Sequence, residues 1–238
     1  MPDNVGPDTH RQTFLRGIST KAGAFATHRF ENLYGCVNES LLKSSWRLLN
    51  KKACSGVDGV TAAQYEQDLA SNIHRLVNRL KSHQYRTRLI RRHYIPKGNG
   101  KRRPLGIPVL EDRLLQGAAK QLLEAIYEQD FLPNSFGYRP GVSARDAVRA
   151  LTFNLQYGRF GYVVEADIQG FFDHINHDWL LEMLRERIHD KPFLGLIEKR
   201  HPGNGWPGHP PTNGDTARRG SFAGVGEHLP ALCVGPLV

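Results

Sequence analysis

The chain has 238 residues, 39% of them hydrophobic, which is enough to bury the core of one or two domains. Its formal net charge of +9 favours a polyanionic partner, nucleic acid before membrane, because cationic side chains gain by displacing counterions condensed on phosphates. No apolar run reaches the roughly 18 residues of a membrane span. Residues 1–11 lack a signal-peptide core, and Cys36, Cys54 and Cys233 have no metal-ligand spacing, so a cytoplasmic protein with no membrane partner is expected.

Residues 1–30, rich in Gly, Pro, Thr and His, show no sustained periodicity and predict a mobile arm. From Asn38, a capping residue, Leu41, Leu42, Trp46, Leu48 and Leu49 recur at helical spacing. The loop K-K-A-C-S-G-V-D-G-V-T at 51–61 is punctuated by two glycines. Thr61 and Gln64 then make a capping box for a helix whose inner side is Tyr65, Leu69, Ile73, Leu76, Val77 and Leu80.

Between Arg86 and Arg103 stand eight Lys or Arg residues and no acid: Arg86, Arg88, Arg91, Arg92, Lys97, Lys101, Arg102 and Arg103. At the centre H-Y-I-P-K-G-N-G-K-R-R-P-L-G-I-P reads as a hairpin with a Gly-Asn-Gly turn. Hairpin lysines often only blunt an edge. A one-signed run held close by a hairpin and interleaved with His93 and Tyr94 also suits a triphosphate or a nucleic-acid backbone. Its glycines lack the spacing and the Ser or Thr of a phosphate-cradling P-loop.

Glu111 and Asp112 open a helix, at its positive end, with the face Leu114, Leu115, Ala118, Ala119, Leu122, Leu123 and Ile126. Two readings stand for F-L-P-N-S-F-G-Y-R-P-G at 131–141: a plug in the fold, or an exposed Tyr138-Arg139 pair that stacks on bases. Ser143 and Asp146 start a helix with Val148, Leu151 and Leu155 inward. It leads to F-G-Y-V-V-E-A-D-I-Q-G-F-F-D at 160–173, read as an apolar strand, Tyr162 to Ala166, that carries Asp167 to its end. A strand-end carboxylate can cap a turn, or hold a hard cation against a phosphate. A further helix from near Asp178 packs through Leu180, Leu181, Leu184 and Ile188.

The pattern Asp-Ile-x-x-Phe-Phe-Asp at 167–173 resembles the first metal-binding motif of reverse transcriptases, and more closely that of bacterial group II intron-encoded reverse transcriptase/maturases. The G-V-D-G-V-T loop, the basic hairpin and residues 131–141 resemble further blocks of that family, in order, over about residues 30–200. The resemblance implies an α+β, helix-rich fold: right-hand polymerase fingers with part of a palm and an incomplete palm sheet. It implies that Asp167 is catalytic and binds two Mg²⁺ with help from the Ile168 carbonyl. Phe172 would be the gate beneath the sugar of the incoming nucleotide, and Lys97 and Arg103 would meet its triphosphate. Arg86, Arg88, Arg91, Arg92, Lys101, Arg102, Tyr138 and Arg139 would contact nucleic acid. Asp173 is expected to hydrogen-bond within the turn. The implied partners are an intron RNA template, a DNA primer and nucleoside triphosphates.

Composition breaks after Arg200: residues 201–238 hold 8 Gly and 6 Pro and no lysine. The family carries a Gln-Gly-Gly block near this point. Read one base later, the codons permitted by His201 to Gly235 admit a peptide containing T-P-Q-G-G-V-V-S-P, which resembles that block. The tail is therefore expected to be a frameshifted, disordered reading that leaves the enzyme truncated. The family's Tyr-Ala-Asp-Asp hairpin occurs nowhere in the chain. The expected organisation is an arm at 1–30, an N-terminal extension and fingers at 31–158, a partial palm at 159–200 and the tail at 201–238. On this reading the chain alone is inactive in polymerisation. The alternatives are a non-catalytic fragment that binds intron RNA, an unstable product with exposed apolar surface, and a nuclease built on Asp167 and Asp173.

Overall fold

The computed structural model describes residues 7–96, 102–168, 171 and 175–198. The element that organises them is α6, Leu110–Tyr127, which has a broad apolar face and only a narrow polar stripe: Leu114, Leu115, Ala118, Ala119, Leu122 and Ile126 are fully buried, whereas Arg113, Lys120 and Glu124 are half-buried. So broad an apolar face must be covered on more than one side. Here α1 (Pro7–Ala24) and α3 (Glu39–Leu48) pack along it, and α5 (Leu69–Lys81) packs on α3. The crossing of α3 on α6 is close. Ser45 Oγ donates to the Leu114 carbonyl at 2.8 Å, and a Cβ built on Gly117 would collide with Ser45 Oγ.

The caps read from sequence are present. Asn38 accepts from the Leu41 amide, and Thr61–Gln64 and Ser143–Asp146 both form capping boxes. The helix expected from Thr61 to Leu80 is divided at Asp68 (φ −122°, ψ 39°) into α4 (Ala62–Gln67) and α5. Tyr65, Ile73, Leu76, Val77 and Leu80 are nonetheless buried as predicted. Leu48, expected on the inner face of α3, is exposed at the last position of the helix.

Residues 7–24 form a helix where composition suggested an irregular arm. It packs along α6: Ile18 and Ala22 enter the core, Leu15 lies against it, and Gln129 Nε2 donates to Ser19 Oγ at 2.9 Å. The C-terminal part returns to this region. In α8 (His177–Arg187) Leu181 and Leu184 are buried, as is Ile188 just after it, and α9 (Lys191–Glu198) adds Phe193, Leu194, Leu196 and Ile197. Arg187 donates to the carbonyls of Ala22, Phe25 and Ala26 and lies 3.1 Å from Asp130. Phe30 bridges in parallel to Ile188.

Two expectations about the centre of the chain are corrected. The helix α7 (Ala144–Tyr157) forms where predicted, but none of its residues is buried, and Val148, Leu151 and Leu155 face solvent. Residues 160–168 form no strand: Tyr162 is 92% exposed and Val164 89% exposed. A strand exists only by pairing with a neighbour. Among the described residues none lies beside this segment, since the one sheet is the two-stranded hairpin β1 (Arg91–Pro96) and β2 (Arg102–Ile107). The tail from 199 onward lies outside the described residues.

Candidate nucleic-acid interface

The basic run folds as predicted into an antiparallel hairpin, with Arg91 opposite Ile107 and Pro96 opposite Arg102. Side chains alternate across a strand. One face therefore presents Arg92, Tyr94 and Arg102, whose cross-strand neighbours are Gly106, Pro104 and Pro96. Small or ring-closed partners leave the arginines and the tyrosine uncovered. Arg91, Arg92, His93 and Tyr94 are all exposed. Lys97, Lys101, Phe172 and Asp173 lie outside the described residues, as does the side chain of Arg103.

The hairpin is tied to the core at its root. Asp112, buried in the first turn of α6, accepts from the Tyr85 hydroxyl and, at 3.2 Å, from the Arg88 amide. Burial first, and then the Asp112 charge, push the Tyr85 phenol well above its ordinary pKa, so it remains a donor. The Arg88 side chain is 3.9 Å from Asp58, and Arg86 donates to the His83 and Tyr85 carbonyls. By sequence Asp112 is an ordinary helix-start acid. Nothing in its sequence neighbourhood separates an acid that favours the helix dipole from one whose carboxylate is buried.

The 51–61 loop abuts the same root. A Cβ on Gly56 would come within 2.6 Å of Val109 Cα, so only glycine permits this approach, and Gly59 has φ +69°. The loop at 131–141 divides its pair. Tyr138, at φ 56°, is 61% exposed. Arg139 is held inside instead: Nε and Nη2 donate to Glu128 at 3.0 and 2.7 Å, and Nη1 donates to the carbonyls of Leu132 and Ser135. Its guanidinium also lies over the Phe131 ring at 5.2 Å. The expectation of an exposed Tyr138-Arg139 pair is thus corrected for Arg139, whose charge is spent on shaping the loop.

Asp167 and Ile168 are both exposed, and the Ile168 carbonyl accepts from the Phe171 amide at 3.3 Å. Among the described residues no three potential ligands cluster. A pair of hard cations needs several carboxylates. Asp167 is accessible to serve as one such ligand.

An α+β body that displays a one-signed basic hairpin carries a surface of the kind that suits a phosphate-rich polymer. The model of the family "Reverse transcriptase (RNA-dependent DNA polymerase)" matches residues 95–214, and the chain belongs to that family, in its group II intron reverse transcriptase/maturase branch. It is 40% identical over 191 residues to "Protein YkfC" of Escherichia coli (strain K12), covering 77% of this chain and 50% of that protein. It is 39% identical over 128 residues to "Group II intron-encoded protein LtrA" of Lactococcus lactis subsp. cremoris, covering 53% of this chain and 21% of LtrA. "Nuclear intron maturase 1, mitochondrial" of Arabidopsis thaliana is 28% identical over 91 residues, covering 38% of this chain and 12% of that protein. The chain thus spans half of the first relative and about a fifth of the second. Among the described residues no helix is long and apolar enough to cross a membrane.

Proposed function

We propose that the chain is the fingers and part of the palm of a group II intron-encoded RNA-directed DNA polymerase and maturase. It engages intron RNA as template, with a DNA primer and nucleoside triphosphates as the further substrates of the complete enzyme, in the cytoplasm. The observation that carries the reading is the hairpin, which holds its exposed arginines on a two-stranded support anchored by Asp112. Lys97 and Arg103 are assigned to the triphosphate and Phe172 to its sugar. Asp167, with the Ile168 carbonyl, is assigned to the cation site. Arg86, Arg88, Arg91, Arg92, Lys101, Arg102 and Tyr138 are assigned to nucleic acid, and Arg139 to the loop that displays Tyr138.

The second reading is an RNA-binding fragment that does not incorporate nucleotides. It is favoured by the exposure of α7 and residues 160–168, none of whose apolar side chains is buried among the described residues. An out-of-frame tail after Arg200 is its genetic counterpart, and sequencing the coding DNA tests that directly. Codons at 201–235 that exclude the shifted peptide sink the frameshift, and the family match running on to residue 214 makes this the point to check. The functional test is primer extension on RNA with Mg²⁺, comparing this chain with one continued in the restored frame. Extension by the restored protein alone supports the truncation. Extension by this chain, abolished in Asp167→Asn, overturns it. Absence of salt-sensitive RNA binding by either protein overturns both readings.

A further inference from the structure

Exposed apolar surface is concentrated in one stretch of the molecule. Ten of the large apolar side chains exposed among the described residues fall between Val148 and Ile168, on α7 and the segment after it. At roughly 100 Å² each they offer on the order of 1,000 Å², more than the few hundred Å² of apolar patch usual on a monomer. A stable interface takes about 800 Å² from each partner. From Arg159 to Asp167 no backbone hydrogen bond joins described residues, and the segment has neither the lysine nor the proline that blunts a free edge. Its backbone groups and its apolar side chains are thus both suited to a strand laid alongside.

Charge narrows the choice of that strand. The chain carries +9, yet between Ala144 and Ile168 the charges of Arg145, Arg149 and Arg159 are cancelled by those of Asp146, Glu165 and Asp167. A neutral surface does not select a polyanion, and it is where two copies of a basic chain meet with least repulsion. The order of residues is also self-complementary. In extended backbone alternate side chains share a face, which puts Phe160, Tyr162, Val164 and Ala166 on one side and Arg159, Val163, Glu165 and Asp167 on the other. Turned antiparallel to its own copy about a two-fold axis at Val163, the segment sets Tyr162 against the partner's Val164 and Arg159 against the partner's Asp167, each pair occurring twice. Aromatic with β-branched, and cation with anion, are the cross-strand pairs that stabilise an antiparallel ladder.

We infer that residues 159–167 pair antiparallel with the same residues of a second copy of this chain, in a closed two-fold dimer centred on Val163. RNA takes no part in this contact, which therefore stands apart from the function proposed above.

The full chain, freed of nucleic acid by nuclease treatment, is followed by sedimentation equilibrium over a range of concentrations in about 0.15 M salt. The expected result is a monomer–dimer equilibrium without larger species. Asp167→Arg and Arg159→Asp, both at exposed positions, each weaken dimerisation about tenfold or more, and the double exchange Arg159→Asp/Asp167→Arg restores it to within about threefold of the parent. Hydrogen exchange gives a second readout: the amides of residues 160–166 gain protection as the concentration rises. A monomer at every concentration, open-ended growth, or a dimer that both single exchanges leave intact overturns the inference. Protection of these amides that does not change with concentration also overturns it, and assigns the segment to a partner within the same chain.

Discussion

Arg139 offers the sharpest separation between holding a loop and touching a nucleic acid. Its side chain is 13% exposed and makes four hydrogen bonds, two to Glu128 and two to backbone carbonyls. Lysine keeps the charge but cannot reproduce the fork, so Arg139→Lys loses at least two of these bonds and leaves a carbonyl underpaired. At about 1–1.5 kcal/mol for each lost bond, the expected destabilisation is about 2–3 kcal/mol. Urea unfolding measures that directly. RNA affinity measured against salt then asks whether Arg139 also meets a phosphate. Removing a phosphate contact lowers the salt slope by about 1. The expected slope is unchanged in Arg139→Lys and in Tyr138→Ala, although Tyr138→Ala weakens RNA binding by about 1–3 kcal/mol through lost stacking without altering stability. An Arg139→Gln variant of unaltered stability whose salt slope falls by about 1 refutes the structural assignment.

The other expectations are simpler. Arg92→Gln and Arg102→Gln, on one face of the hairpin, should each lower the RNA-binding salt slope by about 1 and leave urea unfolding within about 0.5 kcal/mol of the parent. Asp112→Ala strands the Tyr85 hydroxyl and the Arg88 amide, and should cost about 2–4 kcal/mol in the same unfolding assay. Ile18→Asp should destabilise by about 2–4 kcal/mol because α1 is part of the core, and a silent substitution would return residues 7–24 to the status of an arm. The Glu39 carboxyl is held below its ordinary range, chiefly by its hydrogen bond with His74 at 2.8 Å. Its folded pKa is depressed, so its stabilising contribution is present above the ordinary carboxylate value and is lost as pH falls through the lowered one. NMR titration should show His74→Ala returning the Glu39 carboxyl towards its ordinary pKa.

Legibility in the sequence followed the range of the physics involved. Ile73, Leu76, Val77 and Leu80 were readable because burial on one side writes itself as a period. The hairpin was readable because its turn glycines, prolines and one-signed charge are all local. The helix α7 was assigned correctly, yet its apolar side proved exposed, since a period shows which side is apolar and not what covers it. The Tyr138-Arg139 pair misled because the acceptors that saturate Arg139 lie at Glu128, Leu132 and Ser135, partners that only the folded loop selects. The helix α1 escaped notice because its inward stripe, Leu15, Ile18 and Ala22, is short and set among Gly, Ser and Thr residues that read as loop.

The same distinction separates binding from chemistry within the molecule. The elements that would meet RNA are fixed by this chain's own packing: Asp112 holds the hairpin root, Gly56 seats the 51–61 loop on Val109, and Arg139 shapes the loop of Tyr138. On either side of α7 the backbone is equally anchored, since Tyr127 donates to the Leu184 carbonyl at 3.1 Å and Arg187 closes on the carbonyls of Ala22 and Ala26. Between those anchors Asp167 sits on a segment with no ladder among the described residues, flanked by exposed Tyr162 and Val164. A carboxylate holds a cation against a phosphate only where its backbone is immobile to a fraction of an ångström. Whatever pairs with residues 160–168 would therefore fix the position of Asp167, whereas the root of the hairpin that carries the proposed RNA contacts is held by the described core.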